Sequence, residues 1–211
     1  MIQEAVAGRS RAEVKRIVDI IRDYALKCVS RAGPREPSIP KFEAGVNALL
    51  ADTGIRFEQD NAIFKKHNAP AYAGPDGVVL NTRQMTPHAI VMDARGNRLP
   101  GLIGHELVHA DQIAAAGRKG GVDKMFDAST KRMFKGGQLQ RDAYLTDKHE
   151  IMAYAHTLVA DMLDKGESPK AVMKVLRRGS RTGLDQWPKH KQRFLKNALG
   201  YLNKYTAEKP A

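Results

Sequence analysis

The sequence predicts an α+β fold that is mostly helical. Apolar residues recur at three- and four-residue spacing over most of its 211 residues. Between Ile55 and Met92 that spacing gives way to short β-rich runs separated by turn residues. Hydrophobic residues make up 42% and charged residues 27%, the balance of a chain that buries an ordinary core.

The elements follow in order. Val14, Ile17, Val18, Ile21, Ala25, Cys28 and Val29 form one stripe of a helix over about residues 3–31. Cys28 lies on that stripe and reads as a small buried hydrophobe. The three prolines between Gly33 and Pro40 demand a loop, the best boundary between an N-terminal arm (1–35) and a main domain (36–166). The periodicity leaves open whether the first 35 residues are an inhibitory arm, a partner-binding helix or part of the core. A second helix, about Pro40 to Asp52, turns Phe42, Val46, Leu49 and Leu50 inward and ends near Gly54.

Ile55–Phe57, Ala71–Ala73 and Val78–Leu80 read as strands, and Ala89–Met92 is ambiguous between strand and helix. From Gly96-Asn97 onward the pattern is helical. One helix covers about Pro100 to Ala116 and another about Arg141 to Lys165, ending at Gly166. A third is capped by Ser168 with Pro169 in its first turn, and the last runs from about Pro188 to Tyr205.

A single cysteine excludes an intramolecular disulfide, and no run of 18 apolar residues is available to span a membrane. The first thirty residues lack the apolar stretch of a signal peptide, which favours a cytoplasmic protein. The net charge is +12, and residues 166–211 hold eleven Lys/Arg against three Asp/Glu. Such a segment, expected to pack on the same core, suits a solvated helical face or a contact with nucleic acid or another acidic surface.

The chemistry lies in His105-Glu106-Leu107-Val108-His109. Histidines at i and i+4 project from one helical face, so both imidazoles can reach one zinc at about 2.0–2.1 Å. Glu106 is offset around the helix, within reach of a water whose pKa the metal lowers toward ~7. With seven His and nine Glu in the chain, chance supplies the pattern roughly 0.01 times, so it carries weight. A catalytic zinc needs a third protein ligand. Glu150, at the border of the Ile151, Ala155, Leu158, Val159 and Met162 stripe, is the first candidate and His149 its rival. Tyr154, one turn beyond Glu150, or His156 can donate to an oxyanion. His67, His88 and His190 have no metal-like spacing.

The HExxH pattern, followed by Glu150 in Glu-x-x-Ala-Tyr-Ala, resembles the gluzincin group of zinc metallopeptidases, above all small HExxH proteins of bacteriophages and mobile elements. The resemblance covers about Val78 to Leu163. It implies a zincin-like core with a small sheet packed on the HExxH helix. It further implies that His105, His109 and Glu150 bind Zn2+, that Glu106 is the catalytic base, and that the substrate is a protein or peptide. Gluzincins often place Asp four residues after the ligand Glu; here Tyr154 stands there, and Asp111 or Asp147 is available to orient a histidine. The alternatives are a non-catalytic virion or structural protein that keeps such a fold, and a nucleic-acid-associated protein that uses the basic C-terminal segment.

Overall fold

The computed structural model describes residues 9–33, 35–67, 69–74, 76–93, 98–117, 134–135, 138–139, 147–178 and 190–207. These are mostly helical, with one three-stranded sheet and one two-stranded ladder. By its contacts the chain divides into two compact units, one of Arg11–Ala110 and one that joins Met1–Ser10 to Asp111–Ala211.

In the first unit, α1 (Arg11–Ala32) buries Val14, Ile17, Val18, Ile21 and Ala25. Cys28 is partly buried and packs against the same core. Arg9 and Ser10 precede the helix, and the expected turns at residues 3–8 lie outside the described residues. The N-terminal helix is therefore part of a core. Its partners there include Phe42 and Val46 of α2 (Ile39–Leu49), with Leu50 just beyond.

Beyond α2, Thr53 turns the chain into the sheet. Its hydroxyl donates to the Leu50 carbonyl at 2.7 Å and accepts from the Ile55 amide at 3.2 Å. β1 (Ile55–Glu58) leads through α3 (Ala62–His67) to β2 (Ala71–Gly74) and β3 (Gly77–Asn81). The strand order is β1-β3-β2, with β3 parallel to β1 and antiparallel to β2. In the central strand Val78, Val79 and Leu80 are all buried, which explains their uninterrupted apolar run. β1 is an edge strand. Asn47 of α2 blunts that edge by donating to the Phe57 carbonyl at 2.9 Å and accepting from its amide at 2.7 Å.

The ambiguous run at Ala89 resolves as helix α4 (Pro87–Met92), which packs on α1. Thr86 caps it by accepting from the Ala89 amide at 3.2 Å, and Pro87 fits its first turn. The Asp93 carboxylate accepts from the Leu99 amide at 2.9 Å near the start of α5 (Arg98–Gly117). Leu99, Ile103 and Leu107, four residues apart, bury one stripe of α5 in the core of this unit.

α5 runs through the division between the units. In the second unit, two short segments depart from the expected helical pattern: β4 (Phe134–Lys135) pairs antiparallel with β5 (Gln138–Leu139). The Gly136-Gly137 dipeptide between them is a hairpin signal that the helical reading passed over. The helix expected from Arg141 is seen as α6 (Lys148–Asp164), while residues 141–146 lie outside the described residues. Its end follows the Schellman pattern. Gly166 has φ +80°, its amide donates to the Leu163 carbonyl at 3.0 Å, and the Glu167 amide donates to that of Met162 at 3.0 Å.

The cap of α7 (Pro169–Arg178) is as expected, with the Ala171 amide donating to Ser168 Oγ at 3.2 Å. α8 (Lys191–Ala207) packs along α6 and also meets α7. Ile151, Ala155, Val159, Val172, Leu176, Phe194, Ala198 and Leu202 are buried in this unit. No helix among the described residues is long and apolar enough to cross a membrane.

Candidate metal centre

The site begins on α5. Leu99, Ile103 and Leu107 fix the rotation of this helix by burying one side. At about 100° per residue, His105, His109 and Gln112 then share a different side. His105 Nε2 and His109 Nε2 stand 3.2 Å apart, with the two rings edge to face. That separation suits a shared proton. It also suits a tetrahedral metal: with bonds of about 2.0–2.1 Å, two ligand atoms lie roughly 3.3 Å apart.

Gln112 continues the imidazole stripe one turn on. It is buried, and its amide nitrogen lies 3.4 Å from the His149 carbonyl and 3.4 Å from the Met152 sulfur. Within the second unit, the C-terminal part of α5 thus meets α6 through Gln112. The sequence reading missed Gln112, although its position seven residues after His105 places it on the ligand stripe.

α6 starts at Asp147, a buried cap whose carboxylate accepts from the His149 amide at 2.8 Å. The same oxygen lies 3.0 Å from His149 Nδ1. Asp147 thus orients His149 through Nδ1, and the rival ligand is not in the group of donor atoms that converge among the described residues. Glu150 is buried in the first turn of α6. One ligand atom from each of His105, His109 and Glu150 lies within 4.8 Å of the other two. Two imidazoles and a carboxylate, with no fourth protein donor in the group among the described residues, form the donor set that zinc takes when one position stays available to water or substrate. The residues fit the metal.

Two further candidates adjoin the ligand residues along their helices. Glu106 neighbours His105 on α5 and is partly buried, and Tyr154 lies one turn beyond Glu150 on α6, also partly buried. His156 is committed to helix packing: its Nε2 pairs with the Tyr205 hydroxyl, and its ring meets Tyr201 edge-on with centroids 5.0 Å apart. Burial, and secondarily the Asp111 carboxylate, pushes the Tyr201 hydroxyl well above its ordinary range. Of the three histidines without metal-like spacing, His88 lies 3.2 Å from a Glu36 carboxylate oxygen and is partly exposed. Family models, curated proteins and solved structures were compared with the chain, and none matches it.

Proposed function

We propose that this protein is a zinc-dependent peptidase of gluzincin type, acting on a protein or peptide substrate. The observation that carries the reading is the convergence of His105, His109 and Glu150 donor atoms within 4.8 Å of one another, beside a glutamate next to the first histidine. In this reading those three residues hold the metal. When bound, zinc polarises the scissile carbonyl and lowers the pKa of water toward ~7. Glu106 sits about 100° around α5 from His105, which aims its carboxylate beside the donor group rather than into it. It takes the proton of the attacking water and returns it to the departing amine. Tyr154 donates a hydrogen bond to the oxyanion as it forms.

Metal analysis and a hydrolysis assay test this together. Wild-type protein and His149→Ala are expected to retain zinc at near-equimolar content, and Glu150→Ala to lose most of it. Glu106→Gln is expected to keep the metal while cleavage of an unfolded protein falls by about 10²–10⁴-fold. Undiminished zinc in Glu150→Ala would remove the carboxylate ligand. Unchanged cleavage by Glu106→Gln would remove the general base.

A further inference from the structure

In the first unit Lys15, Arg16, Arg56, Lys65 and Arg83 each stand within ion-pair distance of a carboxylate, while Lys27, Arg31, Arg35 and Lys41 are exposed without one among the described residues, interspersed with acidic neighbours in the sequence. In the second unit α7 and α8 contain no aspartate or glutamate at all. Lys170, Lys174, Arg177 and Arg178 of α7 and Lys191, Arg193 and Lys196 of α8 are exposed. None of these seven has a carboxylate partner among the described residues.

Helix architecture does not account for them. Arg177 and Arg178 sit in the last turn of α7, where positive charge suits the helix dipole. Lys170, Lys191 and Arg193, however, occupy first turns, where the same dipole opposes them. On α7 the four cations fall at i, i+4, i+7 and i+8, opposite buried Val172 and Leu176. On α8, Arg193 and Lys196 lie opposite buried Phe194, Ala198, Tyr201 and Leu202.

We propose that the basic faces of α7 and α8, two helices in contact with each other, bind the phosphate backbone of duplex nucleic acid. Two further observations choose this partner. The apolar face of α7 is already buried, with Val172 at 0% and Leu176 at 1% exposure, so the helix has no free apolar side to lay into a lipid surface. The aromatic residues of α8, Phe194, Tyr201 and Tyr205, are buried as well, so no ring on these helices is available to stack on the bases of a single strand. What is left is charge alone, which binds duplex phosphates without reading sequence. The surface is independent of the metal-site reading.

The test is fluorescence anisotropy of a labelled 24-base-pair DNA duplex titrated with the full chain between 50 and 200 mM KCl. Binding is expected, with log K against log[salt] falling at a slope between about −3 and −6, according to whether α7 alone or both helices engage. Lys170→Gln/Lys174→Gln/Arg177→Gln/Arg178→Gln is expected to weaken binding at least tenfold and flatten the slope, with the circular dichroism spectrum unchanged. Lys15→Gln/Arg16→Gln removes two paired cations of α1 and is expected to leave binding as it was. Any of four results overturns the proposal: no binding at 50 mM salt, binding untouched by the α7 substitutions, equal loss in the α1 control, or tighter capture of a same-length single strand or of poly-glutamate.

Discussion

Tyr201 shows how far one residue's environment departs from its type. Its side chain is fully buried, and its hydroxyl is hydrogen-bonded to nothing among the described residues. Burial and the nearby Asp111 carboxylate both disfavour the phenolate, so the folded-state pKa lies above the unfolded value of about 10. Below pH 10 the group is neutral in both states, and its contribution to stability is complete. As pH rises from there toward the folded value, the unfolded chain ionises first and that contribution is lost. Tyr201→Phe is expected to cost little at neutral pH, because the deleted hydroxyl leaves no partner behind. It should reduce the stability loss between pH 10 and 12, measured by denaturant unfolding. Equal pH dependence in the two proteins would rule this out. The neighbouring His156, considered from the sequence as an oxyanion donor, is instead held by Tyr205, a residue 49 positions away. No local pattern reveals such a partner.

The elements were legible where periodicity and punctuation agree. The strands at Ile55, Ala71 and Val78, the cap at Ser168 and the stop at Gly166 all carry their own chemistry in a few adjacent residues. The short helix α3 and the ladder of β4 and β5 were not foreseen, because segments of six residues or fewer hold less than two turns of period. Strand order was also hidden, since β1 pairs directly with β3 and skips α3 and β2, which lie between them in the sequence. One close approach makes the register of that sheet testable. Gly77 has φ +111°, and a Cβ there would fall 2.0 Å from the Gly54 carbonyl oxygen, which also accepts from the Val78 amide at 2.9 Å. Gly77→Ala must therefore both strain the backbone and displace a paired carbonyl, a destabilisation of at least about 2 kcal/mol. Chemical denaturation measures it, and a loss below about 0.5 kcal/mol would contradict this approach.

For the molecule as a whole, the proposed metal links chemistry to stability. An ion that binds only the folded chain stabilises it by about 2.7 kcal/mol at a hundredfold excess over its Kd. Zinc is expected to raise the melting temperature, a chelator to lower it, and Glu150→Ala to abolish most of the difference. Identical melting curves in all conditions would count against a structural role for the ion. The two histidines could be read from residue spacing because one helix holds both, and helical geometry is local. The glutamate between Asp147 and Ile151 could be nominated by its place on a stripe but not joined to them, nor could His149 be set aside. That grouping depends on which side of α5 is buried and on which side chains of α6 converge, and both are decided by contacts between residues far apart in the chain. The basic composition of the C-terminal segment was plain from the start. The placement of its seven exposed α7 and α8 cations opposite buried apolar faces, without carboxylate partners among the described residues, was not, because burial and ion pairing arise from contacts between residues far apart in the chain.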